Sequence, residues 1–162
     1  MTAADTVKRR AILAFMLDRP GVLNKIAMLI RRKMYNVETL TVCKTNQPGV
    51  SRMTITLRES SDAKMHQMVK QIEKSTEVIS ARELDADDSF WREVAIVKFE
   101  ADANQLASLK DNYLLEVLDN QPGDCFIVQV AGTSQHIDTF IADVGSDKVV
   151  EVARSGFTAM EK

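Results

Sequence analysis

One order of secondary-structure patterns occurs twice along this chain, at an interval of about 80 residues, which is the mark of an internal duplication. Each pass runs strand, helix, strand, strand, helix, strand. This β-α-β-β-α-β order is typical of ferredoxin-like units, in which an antiparallel sheet carries both helices on one face. We therefore predict an α+β protein built from two ferredoxin-like β-α-β-β-α-β domains in tandem. The face of each sheet without helices is predicted to pack on a partner, either another copy or another domain.

The first pass follows from hydrophobic periodicity. A buried strand is predicted for RRAILAFMLD, and apolar residues then recur at steps of three and four from Val22 to Met34, as on one face of a helix. Pro20 suits the first turn of that helix, where its missing N–H needs no partner. Two alternating strands, NVETLTVCKT and VSRMTITLRE, flank an NQPG turn. A second helical stripe runs from Met65 to Ile72, and the strand EVISAREL closes the unit.

An acidic segment without periodicity, DADDS at residues 85–89, is predicted to be the linker. We therefore assign residues 1–84 to the first domain and residues 90–162 to the second. The second pass has strands in FWREVAIVKFEA, YLLEVLD, CFIVQVAGT and VVEVARSG, and helices in ADANQLASLK and SQHIDTFIADV. Ser134 is predicted to cap the latter helix. Arg154, in the last strand, either faces a partner or acts as an edge charge against aggregation.

Composition excludes several classes of protein. The net charge is −2 and the basic clusters are short, which argues against nucleic-acid binding. No apolar run reaches the roughly 18 residues of a membrane helix, and no apolar stretch precedes the basic residues near the start, as a secretory signal would require. We expect a cytoplasmic protein that does not contact membranes. Two cysteines and two histidines, separated in sequence, are too few for a metal cluster.

The joint between the first strand and the first helix, LDRPGVL, has the chemistry of a ligand site. A helix start offers unpaired backbone N–H groups and a partial positive charge, which bind carboxylates. Gly21 has no side chain and lets a ligand approach the backbone closely. Asp18 accepts hydrogen bonds from an ammonium group, and Asn36 at the next joint both donates and accepts. Together these groups suit a zwitterion such as a free amino acid; the alternative is ordinary capping chemistry.

These motifs, in their order, resemble a known family. The chain resembles the ACT domain, a small module that binds amino acids in regulatory proteins, in the motif DRPGVLNKIAMLI followed by YNVETLTV. The wider series resembles the regulatory small subunit of acetolactate synthase, also called acetohydroxyacid synthase, through YNVETLTV, SRMTI, VQVAGTS and VEVARSG. The resemblance covers residues 10–156. The first motif indicates only some ACT domain, whereas the later ones are more specific to this subunit.

The resemblance implies a regulatory subunit and not an enzyme. The family's small subunit binds the catalytic subunit, raises its activity and confers feedback inhibition by branched-chain amino acids, usually valine, in the biosynthesis of valine, leucine and isoleucine. It implies no cofactor in this chain, because thiamine diphosphate, FAD and magnesium belong to the catalytic subunit.

The resemblance also implies a homodimer through the ACT domains, with the effector between two copies. One copy supplies the helix start and the other supplies the asparagine. The effector-binding residues that it carries over to this chain are Asp18, Gly21, Val22, Leu23, Asn36 and Val37. The helix-start amides are expected to meet the effector's carboxylate, and the two polar side chains its ammonium group.

Two positions depart from the family's pattern. Asp18 stands where asparagine is frequent, and its charge favours an ammonium group but repels a carboxylate. Met34 stands where glycine is frequent; because glycine suits a left-handed helix exit, either the exit differs here or Met34 carries strain. A member that activates without sensing valine is therefore one alternative. The others are a free-standing tandem ACT sensor that acts on another partner, and a small enzyme on a ferredoxin-like scaffold.

Overall fold

Alternating apolar residues in the first half of the chain form a four-stranded antiparallel sheet with two helices. The computed structural model describes residues 8–162. The elements of this first unit are β1 (Arg9–Leu17), α1 (Val22–Arg32), β2 (Val37–Lys44), β3 (Val50–Arg58), α2 (Asp62–Glu73) and β4 (Val78–Leu84). The strand order is β2-β3-β1-β4, so β2 and β4 are the edge strands.

The second unit repeats this plan. Its elements are β5 (Ser89–Glu100), α3 (Ala103–Asn112), β6 (Leu115–Gln121), β7 (Cys125–Gly132), α4 (Ser134–Val144) and β8 (Val149–Arg154). The strand order is β6-β7-β5-β8, and the pairings are antiparallel. The predicted α+β architecture of two ferredoxin-like units in tandem is thus confirmed.

Each core lies between the helices and one face of the sheet. In the first unit, Ile12 and Ala14 of β1 alternate onto this face and pack with the apolar stripes of α1 and α2. In the second unit, the ring of Phe99 lies between those of Phe126 and Phe140, with centroid distances of 6.3 and 6.1 Å. The two-residue period of strands and the 3.6-residue period of helices account for both cores.

A further strand, β9 (Thr158–Glu161), follows β8 and is not anticipated by the sequence patterns. Residues 157–162 belong to the first unit, together with the chain up to Phe90, whereas Trp91–Gly156 form the second unit. The boundaries taken from the sequence assign β9 to the second domain, and they stay a prediction. Inside the first unit, the backbone amide of Lys162 donates to the carbonyl of Asp88 at 3.1 Å.

The face of the first sheet opposite its helices is closed over β1. Ala11 and Leu13 lie on this face and are at most 2% exposed. The final strand contributes to the cover, because the guanidinium of Arg9 lies over the ring of Phe157 at 5.3 Å and Arg52 donates to the carbonyl of Ala159. Residues 157–159 thus supply part of the cover of this face, and its packing against another copy or another domain stays a prediction.

Two local predictions are also corrected. Thr133, rather than Ser134, caps α4, since the hydroxyl of Thr133 accepts a hydrogen bond from the amide of His136 at 3.2 Å. Pro20 does not lie in the first turn of α1, because the helix begins at Val22 after the turn that Pro20 forms with Gly21. Within residues 8–162, no helix is both long and apolar enough to cross a membrane.

Candidate functional site

The turn from Asp18 to Gly21 joins β1 to α1 and leaves the start of the helix exposed. The backbone amide of Asp18 donates to the carbonyl of Gly49 at 2.8 Å, which holds the end of β1 in place. Gly21 precedes the helix with a φ of +88°, a left-handed conformation that strains other residues. Apart from Gly21 and its two chain neighbours, no described residue has an atom within 4 Å of the position that a Cβ would take there. The space in front of the helix start is therefore open.

The first turn of α1 has backbone N–H groups to offer a ligand. The amide of Val22 makes only a long hydrogen bond, 3.4 Å, to the carbonyl of Arg19, and those of Leu23 and Asn24 find no acceptor within residues 8–162. No side chain caps this helix, and no acidic residue stands in its first turn. The partial positive charge of the helix start is thus left for an anion.

Asp18 places a carboxylate beside this helix start. Its side chain is 40% exposed and pairs with the ammonium group of Lys44 at 3.8 Å. Lys44 is itself 85% exposed, so solvent screens the pair and its contribution is small. The carboxylate of Asp18 therefore retains capacity for a second cation.

A groove of about 560 Å³ runs along α1 beside β2. This volume is within the range of small-molecule sites, about 300–1,000 Å³. Leu23 and Ala27 line it from the helix, and Asn36, Val37 and Leu40 line it from β2 and the residue before it. Leu23 lies in the first turn and Asn36 beyond the last, so the groove follows the whole helix, about 16 Å at about 1.5 Å per residue.

Met34 carries the left-handed helix exit, with a φ of +59°. The amide of Tyr35 donates to the carbonyl of Ile30 at 3.3 Å, and the amide of Met34 to that of Arg31 at 3.0 Å. These two bonds form a Schellman motif, which glycine usually ends. Of the two alternatives drawn from the sequence, the structure selects the strained one. The side chain of Met34 is 89% exposed and offsets little of that strain through burial.

Met34→Gly is expected to raise the free energy of unfolding by about 0.5–1 kcal/mol. Glycine relieves the left-handed strain but loses part of the gain through the greater entropy of the unfolded chain. The midpoint of urea unfolding, followed by circular dichroism, should therefore rise. Lys33→Gly is the matched control: Lys33 has a φ of −91°, so glycine there should lower the midpoint. Equal shifts in the two variants would contradict the strain at Met34.

Asn36 presents a polar group at the start of β2. It is exposed, and its side-chain amide makes no hydrogen bond to the residues that the structure describes. The preceding Tyr35 anchors this joint, because its hydroxyl donates to the carbonyl of Lys64 at 3.1 Å. Burial and then the charge of Glu59 raise the pKa of Tyr35, so the hydroxyl stays neutral. Asn36 is thus a free amide on a fixed joint.

The structure brings the predicted site residues into two groups rather than one. Asp18, Gly21 and Leu23 stand at the start of α1, whereas Asn36 and Val37 stand beyond its end. Both groups border the same groove through Leu23 and Asn36. Within one chain they are therefore separated by the length of the helix.

Sequence reasoning identifies the ends of the groove but not its walls. Ala27 and Leu40 both line it and are not among the predicted residues. A signal was present, since Ala27 follows Leu23 by four residues and so lies on the same side of the helix. Val22 is 4% exposed and packs in the core of the first unit, so its side chain is not available to a ligand.

A ferredoxin-like unit with an exposed helix start after β1 and a groove toward β2 defines a regulatory module of the ACT type. Residues 12–80 match the family described as AHAS small subunit-like ACT domain, and residues 92–162 match the family described as small subunit of acetolactate synthase. The chain belongs to the acetolactate synthase small-subunit family.

Relatives match along nearly the whole chain. A probable acetolactate synthase small subunit of Methanothermobacter thermautotrophicus is 33% identical over 155 residues, which is 93% of this chain and 91% of that protein. The acetolactate synthase isozyme 3 small subunit of Escherichia coli is 33% identical over 159 residues, 95% of this chain and 96% of the relative. The crystal structure of the acetolactate synthase small subunit of Thermotoga maritima matches with a TM-score of 0.86 and 25% identity, over 96% of this chain and 98% of that one.

Proposed function

We propose that this chain is the non-catalytic regulatory subunit of an acetolactate synthase. It binds the catalytic subunit, raises its activity and carries the site for feedback inhibition by a branched-chain amino acid, with valine as the first candidate. Thiamine diphosphate, FAD and magnesium bind to the catalytic subunit, and the assembly works in the cytoplasm. The observation that carries the effector site is the open helix start after Gly21, on a chain whose two units both match this family.

One copy alone does not complete this site. The helix start and Asn36 are separated by the length of α1, about 16 Å. The ammonium and carboxylate groups of an amino acid are bonded to one carbon atom, so they cannot reach both places in one copy. β2 is an edge strand of the described sheet, and edge strands offer backbone groups to a neighbour. A second copy whose α1 runs antiparallel brings its Asn36 to the Gly21 of the first. Two-fold symmetry then creates two equal sites.

The chemistry of the helix start fits an α-amino acid. The effector's carboxylate accepts hydrogen bonds from the amides of Leu23 and Asn24, which have no acceptor in the described chain. The left-handed Gly21 leaves room for that approach. Asp18 and the Asn36 of the second copy accept hydrogen bonds from the ammonium group. The alkyl group packs in the apolar groove beside Leu23.

Inhibition follows from linkage. A ligand held by two copies favours the arrangement in which both halves of the site meet. It changes the catalytic subunit only through a difference in affinity between the active and the inhibited assembly, for which a coupling on the order of 1–3 kcal/mol is typical.

Titration calorimetry of the purified chain tests the effector site directly. We expect saturable heat with at least one of L-valine, L-leucine and L-isoleucine, and weaker binding of D-valine, which has the same charges and size. No heat with any of the L-amino acids at millimolar concentration would contradict the site.

Co-purification tests the subunit assignment separately. The tagged chain is expected to retain an acetolactate synthase catalytic subunit and to raise its acetolactate production, and valine should lower that production. A chain that binds valine but neither retains nor activates the catalytic subunit would instead be the free-standing sensor considered above.

A further inference from the structure

The final strand, β9, is fastened to the first unit by side chains of β3 and β4. Arg52 of β3 donates to the carbonyl of Ala159. Arg82 of β4 makes two hydrogen bonds to the carboxylate of Glu161, one of them at 2.8 Å. Phe157 and Ala159 are 4% and 1% exposed, so these two side chains are buried, whereas the other residues of β9 are exposed. The segment follows 66 residues, Trp91–Gly156, which belong to the second unit.

The two arginines that hold β9 also flank one aromatic ring of β1. Register pairs Phe15 with Arg52 and Leu13 with Arg82, which places these side chains on the sheet face opposite the helices. The guanidinium groups of Arg52 and Arg82 lie 5.8 and 6.0 Å from the centroid of the Phe15 ring. Cation–π contacts of this kind are attractive. The ring of Phe15 is therefore connected to β9 on two sides.

Phe15 lies two residues before the end of β1, and the effector turn begins immediately after that end. The amide of Leu17 donates to the carbonyl of Glu77 and the amide of Asp18 to that of Gly49, both at 2.8 Å. These two bonds hold the last residue of β1 and the first residue of the turn. A shift of Phe15 along β1 changes their geometry directly.

We propose that β9 is a clasp that positions the turn from Asp18 to Gly21 through Arg52, Arg82 and Phe15. The proposal rests on the proposed function for its effector and deepens it by naming a route of regulation. The second unit is joined covalently to the first at Phe90–Trp91 and again at Gly156–Phe157. The clasp thus fixes the end of β1 and, through it, the turn that binds the amino acid.

The clasp is tested by reversing its ion pair. Arg82→Glu and Glu161→Arg each place like charges opposite one another, whereas the double variant restores an attractive pair. Each single variant is expected to weaken binding of the effector identified by calorimetry roughly tenfold, within the usual range of coupling between sites. The double variant restores the ion pair but not the cation–π contact of residue 82 with the Phe15 ring, so it should recover part of this loss. Met160→Ala is the matched control, since Met160 lies on the same strand and is 61% exposed.

Hydrogen exchange separates positioning from simple loss of stability. In the single variants the amides of Leu17 and Asp18 should exchange faster, whereas those of β7 in the second unit should not change. A chain truncated after Gly156 lacks β9 and should show the same faster exchange at Leu17 and Asp18. This truncation replaces the charge-reversal variants if one of them fails to fold. Unchanged exchange at Leu17 and Asp18 in every variant would overturn the clasp.

The remaining outcomes are also decisive. Faster exchange with unaltered effector affinity, or a double variant as weak as the singles, would overturn the positioning role. A wild-type chain that binds no amino acid would contradict the proposed function, while the exchange measurement would still decide whether the clasp holds the turn.

Discussion

Gly21→Asp is expected to abolish inhibition by the branched-chain amino acid while activation of the catalytic subunit persists. The new carboxylate stands in front of the helix start, where no described atom occupies the space, and takes the place of the effector's own carboxylate. It also repels that group and lies close to the carboxylate of Asp18. The inhibition constant is expected to rise about 100-fold or more, which corresponds to about 2.7 kcal/mol.

Gly21→Asn is the matched control for this change. Asparagine has nearly the same size as aspartate and tolerates the left-handed conformation about equally well, but it brings no charge. Both variants strain the backbone, so only the charge separates them. Acetolactate formation measured against valine concentration should show a much smaller loss of valine sensitivity in the Gly21→Asn variant than in the Gly21→Asp variant. An aspartate variant with full valine sensitivity would mean that the effector does not bind at this helix start.

Arg154→Met is expected to lower the free energy of unfolding of the second unit by about 3 kcal/mol, because it leaves a buried carboxylate without its partner. Arg154 pairs with Glu93 at 2.6 Å and with Asp138 at 2.7 Å, and it also contacts the hydroxyl of Ser134 at 3.2 Å. The side chain of Glu93 is only 2% exposed. Burial alone would lower the pKa of Arg154, but the hydrogen bonds with Asp138 and Glu93 raise it, so the guanidinium stays charged.

Urea unfolding followed by the fluorescence of Trp91, the sole tryptophan, reports on this unit. The double variant Glu93→Leu with Arg154→Met is the control, because removing both charges together is often nearly neutral. It should regain most of the stability that the single variant loses. A single variant within about 1 kcal/mol of the wild type would show that the pair behaves as an exposed one.

The fold follows from local patterns because each strand and helix carries its own period. Ile12 and Ala14 alternate and Val22, Ile26 and Ile30 recur at helical spacing, so their burial can be predicted without knowledge of their neighbours. Strand β9 escapes the same reasoning because it has four residues. It is a strand because it pairs with β5, and Arg52 and Arg82 contact it from positions that depend on the complete fold.

The site was predicted in part for the same reason. The turn chemistry around Gly21 is local, and the structure places the exposed helix start there. The groove walls at Ala27 and Leu40 arise only when α1 packs beside β2. The ambiguity at Arg154 also needed the fold, since its partners Glu93 and Asp138 lie 61 and 16 residues away in sequence.

In the proposed dimer, one effector is held by the helix start of one copy and by Asn36 of another. Mixing two defective variants tests it. Gly21→Asp removes the helix-start half and Asn36→Ala removes the other half, so a heterodimer of the two contains one site with both halves intact. Random pairing in an equal mixture makes about a quarter of all sites intact.

Calorimetry on each variant and on their equal mixture is the most direct measurement. We expect no valine binding by either variant alone, and wild-type affinity at about one quarter of the wild-type stoichiometry after mixing. A mixture in which subunit exchange is demonstrated, yet which binds no more valine than the separate variants, would contradict a site shared between two copies.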